Sequence, residues 1–367
     1  MSAKKIVIDA RIRRSSTGRY VDRLIEHLQN IDYTNTYVVL LQPNDNWQPR
    51  MANFTVVACP FPQFTLTPFN ELKFASFLNK LHADLVHFPM VQQPLFYRGR
   101  VVTSILDLTL LEYPRVGDSG QIKHSVKMNA YKLLIKSAVQ KSSYIITISN
   151  FVKNELVRLY PAAKKVTNTY CAAEPKLSAT AEQIANIKQP FIMHAGSPFP
   201  HKNINRLVKA FELLNVQHPN LQLVLAGKRE YYFEQLEKVI HSSPISNKII
   251  ITGFVSDGEL RWLYENTVCY VLPSLSEGFG LPGLEAMQNG TPLVSSNATC
   301  LPEVYGNAAL YFDPLDVKDM ASKINDVLTD KKLRADLIKK GYEQAKKYSW
   351  ERMAKQTLEV YNKALND

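Results

Sequence analysis

Apolar and polar positions alternate along the chain in two patterns, which predict strands and helices in turn. Short unbroken apolar runs, typical of strands buried on both faces, are separated by stretches in which apolar residues recur every three or four positions. The first pair is KKIVIDA followed by GRYVDRLIEHLQNI, where Val21, Leu24, Ile25 and Leu28 share one helix face. This repeated alternation favours an α/β fold built on parallel sheets with helices on both faces.

The alternation falls into two halves, separated by a stretch without periodicity over residues 160–190. Further strands of the first half are expected at YVVLLQ, DLVHFP, VVTSILD and YIITIS, and those of the second half at FIMHAGS, LQLVLAGK, KIIITGFV, CYVLPS, PLVSS and ALYFD. The sequence therefore predicts two doubly wound, Rossmann-like domains, residues 1–175 and 185–348. A last helix over 349–367 has no place in the second sheet and is expected to cross back to the first domain.

Two sheets of this type would face each other across a central cleft, with ligands beyond the carboxyl ends of the strands. Helix boundaries in the second half carry recognisable signals. Ser256 and Glu259 form a capping-box pattern, Asp316 and Asp319 come close to one, and Gly290 stands where a glycine commonly stops a helix.

The stretch SEGFGLPGLE is a strand-to-helix loop with features of an anion site. Gly280 and Gly283 let the backbone approach a ligand, Pro282 suits a first helical turn, and a helix N-terminus attracts phosphate. Glu277 and Glu285 could accept hydrogen bonds from sugar or ribose hydroxyls on either side. The alternative is that Glu285 only complements the helix dipole, at about 0.3–1 kcal/mol, while Glu277 is solvated.

Two other loops of the second half combine glycine with cations. Gly196 is followed by Lys202 in AGSPFPHKN, and AGKRE brings Lys228 and Arg229 directly after a glycine. Each lysine taken singly could be an ordinary surface residue. Cations that converge from several strand-end loops suit a diphosphate.

The first half carries weaker signals. Gly18 lies in the strand–helix loop SSTGRY, but the full G-x-G-x-x-G is absent, which argues against a nicotinamide-binding domain. Asp107 and His87 are predicted near strand ends, where a structural and a catalytic role are equally open. The sequence shows no metal-binding motif and no Ser-His-Asp order, so neither a metal nor a cofactor is expected.

The composition limits which classes of protein and partner are expected. Lys and Arg exceed Asp and Glu by 44 to 33, a net charge of +11, which suits nucleic acid, an anionic membrane, phosphorylated small molecules or simply a solubilising surface. No apolar run approaches the roughly 20 residues that span a bilayer, and no signal peptide is evident, so a cytoplasmic protein is expected. The four cysteines show no paired spacing, which favours free thiols.

These motifs resemble glycosyltransferase family 4, retaining nucleotide-sugar enzymes with the GT-B fold, over nearly the whole chain. EGFGLPGLE is similar to the family's E-x7-E motif, and YSWERMAKQTLEVY to its terminal helix, which crosses back to the first domain. Within the family, the chain resembles the mannosyltransferase-like branch in three segments: GSPFPHKN, GKREYY and GFVSDGEL.

The resemblance implies roles for individual residues. Glu285 would bind the ribose and Glu277 the donor sugar, while Lys202 with Lys228 or Arg229 would hold the diphosphate. Glu277, Lys202 and Asp107 would carry the catalysis. The other residues implied in binding the nucleotide sugar are Gly18, Gly196, Ser197, Phe254, Val255, Gly278, Phe279, Gly280 and Leu281. The sugar would arrive GDP- or UDP-linked, as co-substrate rather than cofactor.

Three positions depart from the family pattern. Leu106 and Met90 stand where relatives often have histidines, and Ser197 where many have arginine. Donor binding therefore looks intact, whereas the sugar side is altered. The alternative to an active enzyme is a catalytically impaired sugar-nucleotide-binding subunit that serves another glycosyltransferase.

The expected function is transfer of a hexose, with mannose suggested by the branch, to a hydroxyl of a glycan or lipid-linked acceptor in surface polysaccharide assembly. A UDP-sugar is the alternative donor. The basic surface suggests peripheral contact with an anionic membrane. Nucleic acid is not expected as a partner, because the basic residues are not interleaved with aromatic ones in a known module.

Overall fold

Two parallel β-sheets, each in its own unit, form the fold. The computed structural model describes residues 3–13, 15, 17–62, 67–114, 121–174, 179–228 and 231–367, without the side chains of Pro68 and 121–124. The first unit comprises the described residues up to Leu111, those from 121 to Cys171, and Ser349–Asp367, and the second comprises 112–114 and the described residues from Ala172 to Tyr348. This segment of the first unit thus ends at Cys171, four residues before the end of the range 1–175 expected for the first domain.

The first sheet has the strand order β3-β2-β1-β4-β5-β6-β7, all parallel. Its strands are β1 (Lys5–Asp9), β2 (Thr36–Leu41), β3 (Phe54–Ala58), β4 (Leu85–Phe88), β5 (Val101–Ser104), β6 (Tyr144–Thr147) and β7 (Val166–Asn168). The sequence pattern missed β3 and β7, the two edge strands. Both are only partly buried; Thr55 interrupts the apolar pattern of β3, and β7 is only three residues long with two polar side chains.

The helices of the first unit join these strands. They are α1 (Gly18–Ile31), α2 (Pro68–Lys80), the short α3 (Thr109–Glu112), α4 (Gln121–Lys141), α5 (Asn150–Leu159) and α13 (Trp350–Asn366). The predicted apolar face of α1 is buried at all four positions. The last helix, α13, packs against α1, so the expected return of the C-terminal helix to the first sheet is confirmed.

A buried polar chain ties α13 to the sheet. His87 Nδ1 lies 2.6 Å from the Tyr361 hydroxyl on α13, and its Nε2 lies 2.8 Å from Ser104 Oγ. Ser104 Oγ in turn lies 2.9 Å from the Tyr20 hydroxyl on α1. His87 lies within β4 and is fully buried. This burial favours a structural role over a catalytic one.

His87 should make stability depend on pH. Burial lowers the pKa of its imidazole to about 3, so as pH falls below about 6.5 the unfolded chain takes up a proton that the folded one does not. The stability that the neutral His87 imidazole provides is fully present above that pH and is lost as pH falls toward 3. Between about pH 7 and pH 5, wild type should lose roughly 2 kcal/mol more than His87→Gln, measured by urea unfolding. Identical pH dependence in the two proteins would contradict the assignment.

The second sheet has the order β10-β9-β8-β11-β12-β13, again all parallel. Its strands are β8 (Phe191–Ala195), β9 (Gln222–Ala226), β10 (Ile249–Gly253), β11 (Tyr270–Leu272), β12 (Leu293–Ser296) and β13 (Ala309–Phe312). Its helices are α6 (Ile204–Gln217), α7 (Tyr231–His241), α8 (Asp257–Asn266), α9 (Leu281–Gln288), α10 (Leu301–Tyr305), α11 (Val317–Thr329) and α12 (Lys331–Ala345). Apolar side chains of β8, β9, β11, α6 and α11 share one core.

Helix-end signals read from the sequence are present. Ser256 and Glu259 form a full capping box on α8. Asp316 caps α11 by accepting hydrogen bonds from the Lys318 and Asp319 amides. Gly290 follows the end of α9 with a φ of +75°, the left-handed conformation that glycine adopts without strain.

Two further features bear on expectations from composition. Among the described residues, no helix is long and apolar enough to cross a bilayer. All four cysteines are buried free thiols.

Candidate functional site

Glycine loops from three neighbouring strands meet at the carboxyl edge of the second sheet. The Gly196 amide donates to Ala226 O at 2.8 Å, and the Gly227 amide to Gly253 O at 3.0 Å. A Cβ on Gly227 would lie 2.7 Å from Gly196 O, which is too close. Glycine there therefore allows the backbones of the two loops to approach closely. Lys228 follows on this edge and is exposed, whereas Arg229 lies outside the described residues.

A short 3-10 turn, Pro200–Lys202, carries Lys202 to the start of α6. Asn203 follows in the left-handed conformation, with φ +61°, which asparagine tolerates better than most residues. Its side-chain amide donates to Pro273 O at 3.0 Å and Pro314 O at 2.8 Å. The Leu275 amide donates to His201 O at 2.7 Å. These bonds fix the turn against the loop that follows β11, where Glu277 lies.

Lys202 and Glu277 form a partly buried ion pair. Lys202 Nζ donates to Glu277 Oε1 at 2.6 Å, and their side chains are 17% and 11% exposed. Ser274 Oγ donates to the same oxygen at 2.7 Å. Burial tends to raise the pKa of Glu277, but the charge and hydrogen bond of Lys202 and the Ser274 hydroxyl outweigh it, so this pKa is lowered. Glu277 is therefore an ionised carboxylate at neutral pH.

The two carboxylate oxygens of Glu277 are not equivalent. Lys202 and Ser274 both donate to Oε1, and Oε2 has no hydrogen-bond partner in the part of the chain that the structure describes. The Glu277 amide donates to Thr299 Oγ1 at 3.1 Å, which fixes the backbone. The carboxylate is thus held by one oxygen and can accept a ligand hydroxyl with the other.

The loop before α9 is held by Tyr305. Gly280 has a φ of +86°, and its carbonyl accepts the Tyr305 hydroxyl. A Cβ would lie 2.3 Å from Tyr305 Oη at Gly280 and 2.4 Å from the Tyr305 ring at Gly283. Pro282 occupies the first turn of α9, as predicted. The glycines of this loop are therefore required for packing as well as for any approach to a ligand.

The other residues of the predicted loop differ in exposure. Gly278 is buried and Leu281 half-buried. The Phe279 side chain is 3% exposed and packs edge-on against Tyr348, with ring centroids 5.3 Å apart. Phe279 therefore supports the loop from the core, and its ring does not line a ligand surface.

Glu285 and Glu277 lie near one hydroxyl. The Tyr270 hydroxyl donates to Ala195 O at 2.9 Å. Burial raises the pKa of Tyr270, and the charges of Glu285 and Glu277 raise it further. The charges of both carboxylates thus act on one buried hydroxyl, and Glu285 itself is half-buried.

The loop after β10 presents an aromatic surface. Phe254 is 80% exposed, and Val255 beside it is half-buried. Gly253 precedes them with φ +77°, and a Cβ there would meet no atom within 4 Å. An exposed aromatic ring on this edge is suited to a flat ligand group.

Three residues of this edge were not predicted from the sequence: His194, Ser274 and Thr299. Buried His194 donates Nδ1–H to Val271 O at 2.9 Å, and burial lowers its pKa to about 4, so it is neutral. Ser274 and Thr299 are recognisable only by their contacts with Glu277. Among the described residues, no group of three His, Cys, Asp or Glu side chains could hold a metal ion.

The remaining predicted residues belong to the first unit. A Cβ on Gly18 would lie 1.8 Å from Arg13 O, so glycine is required there by local packing. Asp107 is exposed, and its carboxylate accepts the Thr109 amide at 3.0 Å. Leu106 and Met90, at the two positions that depart from the family pattern, are half-buried.

Comparison with known proteins addresses the family. The family model of glycosyl transferases group 1 matches residues 179–344. The O-antigen chain mannosyltransferase B of Escherichia coli is 32% identical over 272 residues, which are 71% of this chain and 70% of that protein. The serotype-specific mannosyltransferase WbdA of Escherichia coli is 33% identical over 241 residues, 62% of this chain but 29% of that longer protein.

Among solved structures, the sucrose-phosphate synthase of Thermosynechococcus elongatus matches with a TM-score of 0.78 at 20% sequence identity. The match covers 98% of this chain and 98% of that chain. At this identity the likeness concerns the fold, and it confirms the two parallel-sheet architecture expected from the sequence. Together with the O-antigen mannosyltransferase relative, these findings show that the chain belongs to the glycosyl transferases group 1 family.

Proposed function

We propose that this protein transfers a hexose, with retention of configuration, from a nucleotide diphosphate sugar to a hydroxyl of a glycan or lipid-linked acceptor in surface polysaccharide assembly. The observation that carries the proposal is the Lys202–Glu277 pair, which presents a cation and a carboxylate oxygen together beside the glycine loops. Mannose is the proposed sugar, because both relatives compared above are named mannosyltransferases.

The barrier to such a transfer lies mainly in departure of the nucleoside diphosphate. The bond from the anomeric carbon to the phosphate oxygen breaks, the acceptor oxygen bonds to that carbon on the same face, and the acceptor proton passes to the departing phosphate. Lys202 would stabilise the charge that grows on the phosphate, as preorganised donors do in a water-poor site. This route requires no protein nucleophile and no metal ion.

The other residues would position the donor. Glu277 Oε2 would accept a hydroxyl of the donor sugar, and Glu285 would accept the ribose hydroxyls. Phe254 would offer its exposed ring to the base. The backbone at Gly196 and the exposed Lys228 would lie against the diphosphate.

Ligand-dependent thermal stability tests the donor. A nucleotide sugar present at about 100 times its dissociation constant should stabilise the fold by about 2.7 kcal/mol. We expect GDP-mannose to raise the melting temperature more than GDP-glucose or UDP-glucose, and Glu277→Gln to reduce the difference between GDP-mannose and GDP. A panel in which no nucleotide sugar stabilises the protein would overturn the proposal.

Turnover separates an active enzyme from an impaired subunit. The wild type should release GDP from GDP-mannose in the presence of a mannose-terminated acceptor and EDTA, with an α-linked product by NMR. Tight donor binding without turnover in any acceptor screen would instead favour the non-catalytic subunit suggested by Leu106 and Met90. Peripheral contact with an anionic membrane is part of the proposal, since a lipid-linked acceptor would lie there.

A further inference from the structure

The loops that follow β1 and β2 lie side by side at the carboxyl edge of the first sheet. The two strands pair in parallel, and the Ala10 amide donates to Leu40 O at 2.9 Å. Beyond the strands, Gln42 Nε2 donates to Arg11 O at 2.8 Å and ties one loop to the other. Ligands of open parallel sheets bind beyond this edge, where the strand order reverses. In this sheet the order reverses beside β1.

Arg13, in the first of these loops, connects both of them. Its Nε donates to Asp22 Oδ1 on α1. Its Nη1 donates to Asp45 Oδ1 at 3.2 Å and Oδ2 at 3.3 Å in the loop after β2. The guanidinium also lies over the Trp47 ring, with Cζ 5.1 Å from the ring centroid, and the Trp47 amide donates to Asp45 Oδ1 at 3.1 Å. Both the backbone and the indole ring of Trp47 are therefore held in place.

The surroundings of Trp47 are polar and open to solvent. Trp47 is half-buried, and Asn46 and Gln48 on either side of it are exposed. The amide side chains of these two neighbours have no hydrogen-bond partner in the part of the chain that the structure describes. Asp22 is 38% exposed, and only its Oδ1 has a donor among the described residues. A fixed aromatic ring thus stands among groups that can exchange hydrogen bonds with a ligand.

These groups favour a neutral saccharide. The C–H face of a sugar ring is apolar and packs on an indole, while its hydroxyls donate to carboxylates and accept from amides. Arg13 shares its one positive charge between two carboxylates, so the three groups together carry one net negative charge. The neighbouring Arg23 is itself paired with Glu26. This charge balance disfavours a phosphate or a nucleotide at Trp47.

The spacing of the two loops indicates which sugar Trp47 would contact. Neighbouring strands lie about 4.8 Å apart, a spacing close to the length of one hexose ring. In an oligosaccharide with one sugar at the loop after β1, the adjoining sugar therefore reaches the loop after β2. Trp47 suits the second sugar of such a chain and not the first.

We propose that Trp47, with Asn46, Gln48 and Asp22, forms a saccharide subsite that binds the acceptor glycan one sugar away from the hydroxyl that reacts. The indole supports the ring of that sugar, the amides and the Asp22 carboxylate bond its hydroxyls, and Arg13 positions the indole. The subsite selects an oligosaccharide acceptor over a monosaccharide. The inference rests on the proposed function for the identity of the acceptor, but its binding test uses no nucleotide sugar.

Transfer to acceptors of two lengths tests the subsite. With saturating GDP-mannose, Trp47→Ala should raise KM for α-linked mannotriose roughly 10-fold, the scale of losing one aromatic contact, and leave kcat unchanged. Its KM for methyl α-mannoside, which is too short to reach Trp47, should not change, whereas a damaged fold would alter both values. The matched control, Tyr33→Ala, removes a 68% exposed ring before the start of β2 and should change neither KM.

Intrinsic fluorescence tests binding without turnover. The chain has three tryptophans, of which Trp350 is only 6% exposed and Trp262 stacks on Phe191 in the second unit. Titration with mannotriose should change the emission of wild type and of Tyr33→Ala, but not that of Trp47→Phe. Trp47→Tyr should recover most of the loss in KM seen for Trp47→Ala, since tyrosine also offers an aromatic face.

The two measurements separate the subsite from the proposed function. The subsite would be overturned by an unchanged KM for mannotriose in Trp47→Ala, by an emission change that survives in Trp47→Phe, or by no response of wild type to mannotriose. Transfer with an unchanged KM would still leave the proposed function standing. A mannotriose response in a protein that no nucleotide sugar stabilises would reject the proposed function and leave the subsite in place.

Discussion

Replacing Lys202 by alanine is expected to lower the rate of sugar transfer by roughly 100-fold or more, the loss typical for removing one preorganised charge-stabilising group. The ammonium is held by Glu277 at 2.6 Å and is mostly buried. It is therefore positioned before the donor arrives, and water cannot replace it at equal strength. The measurement is single-turnover transfer at saturating donor. Lys209→Ala, which removes an exposed lysine from α6, the helix that follows Lys202, is the matched control and should keep full activity.

Loss of Lys202 will also leave Glu277 as a buried charge without its cation. Breaking a buried pair in this way costs about 3–5 kcal/mol, so folding must be followed alongside rate. The double variant Lys202→Ala with Glu277→Gln removes both charges and should regain much of the stability. It should not regain the rate, because the cation at the leaving group is still absent. Recovery of both together would mean that Lys202 acts only through the fold.

Gly280→Ala is expected to destabilise the protein by about 3 kcal/mol, the sum of left-handed backbone strain and overpacking. The residue has φ +86°, and the new Cβ would lie 2.3 Å from Tyr305 Oη and 2.7 Å from Leu301 Cδ2. The hydrogen bond from the Tyr305 hydroxyl to Gly280 O would be disturbed as well. Chemical denaturation with a constant m-value measures the loss.

Gly253→Ala separates the two causes of that loss. Gly253 has a similar φ of +77°, but an added Cβ would meet nothing within 4 Å. Only strain remains, at about 1 kcal/mol. Adding Tyr305→Phe to Gly280→Ala should recover part of the difference, since it removes the nearest clashing atom. If both alanine variants lose the same stability, the packing argument for Gly280 is wrong.

Local patterns predict the centres of both sheets better than their edges. Strands buried on both faces are mostly apolar, so the sequence predicts β4, β5 and β6 even though each contains a buried polar residue such as His87, Ser104 or Thr147. The edge strands β3 and β7 are partly solvated, and polar residues such as Thr55 and Asn168 make their pattern less distinct. The role of His87 was ambiguous for a different reason. Its partner Tyr361 lies 274 residues later in the chain, so no local pattern reveals their contact.

The loop motifs were legible because they obey local rules. Glycine, proline and a cation after an apolar run predict a strand-to-helix loop whatever the rest of the chain does. The role of Phe279 could not be predicted, since its contact with Tyr348 depends on the segment between α12 and α13, 69 residues further along the chain. Ser274 and Thr299 are common residue types whose positions beside Glu277 no spacing rule predicts.

The sequence by itself determined the alternation of the central strands with helices, several helix caps and the strand-to-helix segments that carry Lys202, Glu277 and Glu285, since these follow from periodicity and backbone preferences over a few residues. Tertiary structure decided which side chains meet. Lys202 and Glu277 are 75 positions apart and pair because β8 and β11 are neighbours in the sheet. Packing likewise decided which faces of α2 and α4 remain in solvent, because burial is a property of the assembled sheet and its helices.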